Sequence, residues 1–265
     1  MENETIIRLS AFLGLFVLFV AAETLWPRRA RTFTRTRRWP TNLAIVAIDQ
    51  VVVRLMALGL PLLAVGAALD AGANGWGLFN LTAWPAWVEV IAAILILDVA
   101  IWFQHLVFHK VPVLWRLHRV HHADRDFDVT TALRFHPIEI ALSMLIKIGV
   151  VYLIGAPALG VILFEIILNG TAMFNHANLR LPKQVDRIVR TVLVTPDMHR
   201  VHHSTIRAEH DSNYGFALSI WDRLFRTYTP QPKGGHDGMT IGLERWQDDR
   251  PAGLGWALKF PFDKL

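Results

Sequence analysis

Long apolar runs separated by short polar stretches make up the first two thirds of the chain. These runs cover residues 6–26, 41–69, 84–108 and 138–175. An α-helix rises about 1.5 Å per residue, so about 20 apolar residues cross the hydrocarbon core of a bilayer. The pattern therefore predicts an all-α integral membrane protein with about four to five transmembrane or re-entrant helices.

The fourth run is predicted to form a hairpin of two helices. Gly155, Ala156 and Pro157 interrupt it, and a proline disfavours helical geometry in the residue before it. We expect helices over 138–154 and 158–174, each near the lower length limit for a span. Beyond residue 176 the sequence is polar and rich in histidine, so it is predicted to form a helical cap on the cytoplasmic side.

A cluster of six arginines follows the first apolar run directly. A basic stretch is also found on nucleic-acid surfaces, but this position beside a span favours the positive-inside rule. We therefore predict no nucleic-acid partner, a cytoplasmic loop at 28–40, an extracytoplasmic loop at 70–83 and an outside N-terminus. The acidic residues before the first run do not match the basic start of a signal peptide. The six are Arg28, Arg29, Arg31, Arg35, Arg37 and Arg38.

Composition limits the chemistry available to the protein. Hydrophobic residues make up 53% of the chain and charged residues only 18%, which is too apolar for an ordinary soluble enzyme. There is no cysteine. Disulfides, zinc–thiolate sites, iron–sulfur clusters and thiolate-ligated haem are thereby excluded within this chain. Any metal must be bound by nitrogen and oxygen ligands.

Histidines recur at helical spacing around the third span and again near residue 200. One H-x-x-x-H pair is followed by H-x-x-H-H, and the second motif returns 81 residues later. Positions i, i+3 and i+4 fit within about a 100° arc of a helix, so each group shares one face. Imidazole is the commonest metal ligand, and the repetition predicts a metal centre. These histidines are His105, His109, His118, His121, His122, His199, His202 and His203.

The ligand set favours two metal ions and indicates iron. With His136 and His176 there are ten candidate ligands, more than one ion accepts. Imidazole binds zinc, copper, iron and nickel alike. A two-zinc hydrolase would normally contain bridging carboxylates, but no acidic residue lies between the spaced histidines of any group. An all-imidazole set suits a redox metal with open positions for O₂. A zinc-dependent membrane hydrolase and a non-enzymatic metal- or haem-binding membrane protein are the alternatives.

The motifs and the residues beside them resemble the membrane-bound fatty acid hydroxylase/sterol desaturase superfamily. The resemblance covers about residues 88–230, and the stretch from Thr130 to Arg134 is similar to the alkylglycerol-monooxygenase-like bacterial branch. The resemblance implies that His176 is an isolated ligand in addition to the eight histidines of the three motifs. His136 is included as a ligand, with a backbone-bonded histidine before Pro137 as the alternative. The matching flanks are Asp98, His136-Pro137-x-Glu139, Asn213-Tyr214-Gly215 and the run from Trp221 to Tyr228.

Membership would imply O₂-dependent, non-haem di-iron oxidation of a C–H bond in a membrane lipid, by hydroxylation, desaturation or ether cleavage. The expected cofactors are two Fe ions, which Zn would replace on overexpression, with O₂ as co-substrate. The expected partners are the lipid and an external electron-donor protein. We expect a bacterial inner membrane location with the active site on the cytoplasmic side. The chain is divided into an N-terminal transmembrane hairpin (1–83), a catalytic domain (84–230) and a C-terminal tail (231–265).

Polar residues near the motifs are assigned supporting roles. Asp98 lies about 20° from the helical face of His105, and a carboxylate at membrane depth is costly and usually functional. We predict that Asp98 accepts an imidazole N–H; an ion pair with Arg54 is the alternative. Glu139 is expected to serve His136 in the same way. Support is also expected from His210, Asn213 and Tyr214, and an exposed position for His236.

Overall fold

The computed structural model describes residues 4–59 and 63–263, and in this part of the chain regular structure is helical. Five of the helices described are long and apolar enough to cross a membrane, namely α1, α2, α4, α6 and α7. The predicted fold class is confirmed. The longer helices are α1 (Glu4–Leu25), α2 (Arg35–Gly59), α3 (Ala64–Asn74), α4 (Ala86–Lys110), α5 (Pro112–His122), α6 (Pro137–Ile154) and α7 (Ala158–His176). The cap contains α8 (Lys183–Val189), α9 (Pro196–His202), α10 (Arg207–His210), α11 (Ile220–Leu224), α12 (Gly235–Gly238) and α13 (Leu254–Lys259).

The second apolar run is two helices, and the single span predicted over 41–69 is wrong. α2 begins at Arg35 and ends at Gly59, and α3 begins at Ala64. The sequence between them contains Pro61, which lacks the N–H that a helix interior requires; residues 60–62 lie outside the described part. Helix α2 therefore begins within the arginine cluster, and α3 is too short to cross a bilayer.

The predicted hairpin of α6 and α7 is present, and glycines form its tip. Gly155 ends α6 in a left-handed conformation with φ 64°, which glycine adopts without steric cost. Gly77 approaches so closely that a Cβ added there would lie 2.1 Å from the Gly155 nitrogen. The loop before α4 is thereby packed directly against the hairpin tip. Helix α7 then returns to the cap and ends at His176.

Helices α4 and α7 pack together at the centre of the bundle, with α1 against α7 and with α2 and α3 against α6. Leu97, Val161 and Phe164 are almost completely buried in the core between them. Large apolar side chains such as Val17 and Leu153 are more than half exposed on the outside. An apolar exterior of this kind is what a lipid environment favours.

Buried ion pairs attach the loop after α5 to the N-terminal helices. Arg38 of α2 donates two hydrogen bonds to the carboxylate of Asp124, at 2.6 and 2.7 Å, and a third to Asp128 at 2.7 Å. A two-bond arginine–carboxylate pair of this kind fixes orientation as well as distance. Glu23 at the end of α1 accepts hydrogen bonds from Arg35 and from the Val129 nitrogen. Part of the arginine cluster therefore binds the loop that follows α5.

Candidate metal centre

Two consecutive helices present the first five histidines to the cap. His105 and His109 lie in the last two turns of α4. Helix α5 begins at once with Pro112 at its first position, where a proline is compatible with a helix. It ends with His118, His121 and His122, all buried.

Helix α9 supplies the second H-x-x-H-H motif. It begins after Thr195, whose hydroxyl accepts a hydrogen bond from the Met198 nitrogen, as is typical of a helix N-cap. His199 and His202 lie on α9, and His203 follows it directly. All three imidazoles are fully buried. Together with His176 at the end of α7, they face the histidines of α4 and α5.

The histidines form two groups, which we name cluster A and cluster B. Within each, one candidate ligand atom per residue lies within 4.8 Å of all the others. Cluster A contains His105, His109, His118, His122 and His202. Cluster B contains His121, His176, His199 and His203.

Helical geometry explains why each H-x-x-H-H motif contributes to both clusters. Positions i and i+4 are about 40° apart around a helix, whereas i+3 lies about 60° to the other side. His118 and His122 therefore share cluster A, while His121 reaches cluster B. On α9 the assignment is reversed, so that His199 and His203 share cluster B and His202 reaches cluster A. The repeated motif is what builds two adjacent sites.

Three Nε2 atoms converge in cluster A without a proton between them. His105 Nε2 lies 3.0 Å from the Nε2 atoms of both His118 and His202. Each ring uses its Nδ1 in another contact. His105 Nδ1 contacts the Tyr214 carbonyl at 2.7 Å and His118 Nδ1 contacts Glu139 at 2.7 Å. His202 Nδ1 contacts the Ser212 carbonyl at 2.6 Å. A neutral imidazole that donates through Nδ1 has only a lone pair on Nε2. Converging lone pairs repel one another unless a cation lies between them.

The spacing and protonation of these rings fit a metal ion. Two nitrogens that each lie about 2.1 Å from the same metal ion would be about 3 to 3.5 Å apart. Burial lowers the pKa of His118 to about 3 and the pKa values of His122 and His202 well below the ordinary range. The imidazoles are therefore neutral, which is the form that binds metal.

Cluster B repeats this arrangement. His176 Nδ1 donates to the Ala172 carbonyl at 2.8 Å, which leaves a lone pair on Nε2, 3.2 Å from the Nε2 atoms of both His121 and His199. Both nitrogens of His203 are buried without a hydrogen-bond partner in the described chain. Phe135 stacks on His121 at 4.4 Å between ring centroids and helps to exclude water. Both clusters could therefore bind metal through imidazole alone.

A turn held by Asp222 positions His105, and this residue was not singled out from the sequence. Its carboxylate accepts hydrogen bonds from the backbone nitrogens of Tyr214 and Gly215, from Trp102 Nε1 and from the Thr227 hydroxyl. Tyr214 then offers its carbonyl to His105. The signal in the sequence was an acidic residue within the matching run 221–228, but only the folded chain shows what it binds.

Asn213 and Tyr214 lie beside the clusters, where support was expected. Asn213 has a positive φ of 52°, and its side chain bonds the carbonyls of Met198 and Thr229. It thereby fixes the turn to the middle of α9. The Tyr214 ring lies within 6 Å of three cluster A imidazoles, those of His105, His109 and His202.

The partners predicted for the two carboxylates require correction. Asp98 accepts hydrogen bonds from the Leu218 nitrogen at 3.2 Å and from Trp221 Nε1 at 2.7 Å, instead of from an imidazole or Arg54. It therefore attaches the third span to the first turn of α11 and to the segment before it. Glu139 is hydrogen-bonded to His118 instead of His136, because its position in the first turn of α6 faces α5.

His136 lies apart from both clusters, and the structure corrects the expectation that it is a ligand. His136 is the N-cap of α6, where its Nδ1 accepts a hydrogen bond from the Ile138 nitrogen. Its Nε2 lies 3.2 Å from the Leu258 carbonyl. Both ring nitrogens are thus engaged with backbone. This is the alternative that the proline after it suggested.

Two further histidines are buried beside the clusters. The ring of His210 stacks on Trp115 at 5.2 Å and forms a third possible group with His109 and Asp211; Asp211 was not noticed in the sequence. His236 is only 5% exposed, with Nε2 3.6 Å from Asp197. The expectation that His236 is exposed is wrong, because α12 folds its glycine-rich segment against α9.

Fold and site together define a class: an integral membrane protein that could hold two metal ions between imidazoles at one end of its helical bundle. The fatty acid hydroxylase family model matches residues 90–227, more than half of the chain. The chain therefore belongs to the fatty acid hydroxylase family. The matched region begins in α4 and contains every histidine of both clusters.

Curated relatives are lipid-modifying enzymes by name. The chain is 29% identical over 159 residues to ornithine lipid hydroxylase OlsE of Rhizobium tropici, covering 59% of this chain and 47% of that one. It is 29% identical over 179 residues to alkylglycerol monooxygenase of Homo sapiens, covering 66% and 38%. A cholesterol 25-hydroxylase-like protein of Danio rerio is 28% identical over 142 residues, covering 52% and 55%.

The aligned part spans only about a third to a half of each of the first relatives. No solved structure matches the chain.

Proposed function

We propose that the protein is a non-haem di-iron oxygenase that oxidises a C–H bond of a membrane lipid. The observation that carries the proposal is the pair of adjacent all-imidazole clusters beside a cavity between the spans. That cavity is lined by His105 and His118 of cluster A and by residues of α1, α2, α4, α6 and α7. A lipid that enters from the bilayer would thereby meet the metal ligands directly.

The proposed ligands are the nine histidines of the two clusters. Bound iron would supply the activation of O₂ and the oxidation of the substrate. The protein's own groups orient the imidazoles: Glu139 and the carbonyls of Ser212 and Tyr214 each accept a ring N–H from a cluster A histidine. Such contacts fix the tautomer and raise the basicity of the ligand. Phe135 and Phe216 cover cluster rings on the side of the cavity and limit access of water.

Among the described residues, clusters A and B contain no carboxylate. A two-zinc hydrolase would normally have bridging carboxylates, so the two clusters favour iron over a zinc hydrolase. Glu139 contacts His118 at Nδ1, whereas the Nε2 atom of His118 faces the other cluster A imidazoles. In hydroxylation, one atom of O₂ enters the C–H bond and the other leaves as water, while a donor supplies two electrons and two protons. The test is turnover of a lipid extract by iron-loaded protein with O₂ and a chemical reductant. Equal turnover under strict anaerobiosis would refute an oxygenase.

We propose that the electrons come from an external, acidic redox protein that docks in a basic groove of the cap. These 265 residues contain no cysteine, so an iron–sulfur carrier would lie outside them. A groove of about 880 Å³ is lined by five basic and three acidic residues. Arg180, Lys183 and Arg187 are exposed there, and Asp197 on its wall is two residues from the cluster B ligand His199.

The docking proposal predicts that Arg187→Glu slows turnover supported by an acidic donor, with a steep dependence on salt, because opposite charges steer association. Turnover with dithionite should be unchanged in the same variant. Arg245→Glu, at an exposed arginine outside the groove, serves as the matched control. Equal loss in both variants, or none in either, would refute the groove as the docking site.

We further propose a bacterial inner membrane location with both clusters on the cytoplasmic side. The support is the arginine cluster in the loop after α1 and the first turn of α2, together with the positive-inside rule. The division into residues 1–83, 84–230 and 231–265 is retained as a proposal.

A further inference from the structure

The cavity beside cluster A has a polar wall at membrane depth. It has a volume of about 260 Å³ and reaches from His105 and His118 to residues within the spans α2, α4 and α6. Asp49, Gln104 and Glu139 all line it. A cavity formed only for an acyl chain would need no acidic or amide side chains, which are costly to bury at this depth.

Each of these three side chains has a buried acceptor oxygen without a hydrogen-bond partner in the described chain. The atoms are Asp49 Oδ1, Gln104 Oε1 and Glu139 Oε2. Asp49 and Glu139 are only 5% and 4% exposed. An unpaired buried polar group costs free energy, so three in one small cavity indicate a ligand that supplies the missing partners.

The remaining atoms of two of these side chains are already engaged, which fixes where the free oxygens lie. Gln104 donates through Nε2 to the Ser143 hydroxyl at 2.6 Å, so its amide oxygen is the atom that remains free. Glu139 uses Oε1 for His118, which leaves Oε2. The amide oxygen of Gln104 can only accept a hydrogen bond. A ligand group that pairs with this amide oxygen must therefore be a hydrogen-bond donor.

We propose that this cavity binds the polar end of the lipid substrate through a hydrogen-bond-donating group, either a hydroxyl or an ammonium. Asp49, Gln104 and Glu139 are its acceptors. The inference rests on the proposed function, because it takes the occupant to be the lipid that is oxidised. A volume of about 260 Å³ is below the roughly 300–1,000 Å³ of pockets that enclose a whole small ligand. It therefore suits one end of a lipid.

This binding mode also determines which carbon is oxidised. The acceptors share one small cavity with His105 and His118, and Glu139 contacts His118 directly. A substrate held there by its polar end offers a C–H bond close to that end to cluster A. Oxidation is therefore expected near the polar group instead of far along an alkyl chain.

The experiment compares three probes of equal alkyl length: 1-decanol, decylamine and decyl methyl ether. Their affinities for the metal-loaded protein in detergent are measured by calorimetry without O₂, with titration into protein-free micelles as the blank. Leaving a buried acceptor without a hydrogen bond typically costs about a factor of ten or more in affinity. We expect decanol or decylamine to bind about tenfold more tightly than the ether. The tighter of the two identifies the donor as a hydroxyl or an ammonium.

Asp49→Leu should reduce this preference to about two- or threefold because it removes one acceptor. Asp70→Asn is the matched control, since Asp70 is a carboxylate bonded to Tyr152 and Asn74 outside the cavity, and it should keep the wild-type preference. Equal affinity of wild-type protein for all three probes would overturn the proposal, whether or not the variants fold. Because binding is measured without turnover, a preserved preference without O₂-dependent oxidation would refute the proposed function alone.

Discussion

His118 makes two contacts with different purposes, one through each ring nitrogen. Its Nε2 points into cluster A, 3.0 Å from His105 Nε2, while its Nδ1 bonds Glu139 at 2.7 Å. The Glu139 contact decides which nitrogen holds the proton, and so leaves the lone pair on the metal side. At the scale of single residues, the hydrogen-bond partner at Nδ1 determines whether the Nε2 atom of an imidazole can bind a metal.

Removal of Glu139 is expected to weaken metal binding without removing a ligand. Glu139→Ala should lower metal affinity by about 10–100-fold, the usual effect of losing the partner of a metal-bound histidine. Glu139→Gln should restore most of it, because an amide oxygen still accepts the His118 N–H. Metal dissociation constants measured by competition with a chelator test this. Equal loss in both variants would show that the negative charge, and not the acceptor, is what matters.

Histidines inside and outside the clusters should differ sharply in metal content. His122→Ala leaves four of the five cluster A imidazoles and is expected to lower the metal content of that site, because one metal–nitrogen bond is lost. His136→Asn is the control, because His136 caps α6 and asparagine is also a good N-cap. Metal per chain is measured by mass spectrometry. Full metal content in His122→Ala would contradict the assignment.

The α6–α7 hairpin is fixed by specific contacts at both of its ends. The α6–α7 hairpin leaves the cap at His136, turns at Gly155 and returns with His176 in cluster B. Gly77 locks its tip. The element that supplies an isolated ligand is thus held at both ends.

Gly77→Ala is expected to destabilise the hairpin tip. Gly77 has a φ of 91°, and a Cβ would lie 2.1 Å from the Gly155 nitrogen, so the strain should cost roughly 1–3 kcal/mol. Gly149→Ala is the matched control, because a Cβ there meets nothing within 4 Å and alanine is favoured in helices. Thermal unfolding in detergent distinguishes them. A Gly77 variant as stable as the control would show that the tip can separate.

The clamp between α2 and the loop after α5 should be sensitive to acid. Burial opposes ionisation of Asp124, but the Arg38 guanidinium outweighs it and holds the pKa of Asp124 at about 2, below the ordinary 3.8. A carboxyl with a lowered folded pKa stabilises the fold above its unfolded pKa, and this stability is lost as pH falls toward the folded value. The free energy of unfolding should therefore lose about 2 kcal/mol from this group between about pH 4 and pH 2. The stability difference between wild type and Asp124→Asn should be constant above about pH 5 and shrink below it; a constant difference down to pH 2 would contradict this.

In the whole molecule the polar metal centre lies at one end of an apolar bundle. Five apolar helices form the bundle, and α4, α5, α7 and α9 bring buried imidazoles together at its end. The arrangement requires every cluster histidine to be on the same side of the membrane.

Topology can be tested directly because the chain contains no cysteine. A cysteine at Asn74, an exposed position at the end of α3, should react with an impermeant maleimide only from the extracytoplasmic side. A cysteine at Gln231, exposed in the cap, should react only from the cytoplasmic side. Labelling at Asn74 solely from the cytoplasm would reverse the proposed orientation.

Local periodicity determined much of this protein by itself. Apolar runs define the spans because backbone groups in lipid must be satisfied within a helix, and H-x-x-H-H spacing predicts imidazoles close together on a helix. The hairpin break at Gly155 and Pro157 was also readable from local geometry. The second run misled because its overall hydrophobicity masked the break between α2 and α3.

Only the tertiary structure decided which partners meet across the chain. The division of each motif between clusters A and B depends on how α4, α5, α7 and α9 face one another. Glu139 bonds His118 rather than His136, and Asp222 holds the turn at Tyr214. Such contacts join residues of different helices and turns, and their pairing is determined by packing and by the need to satisfy buried polar groups. Spacing along a single helix carries no information about them.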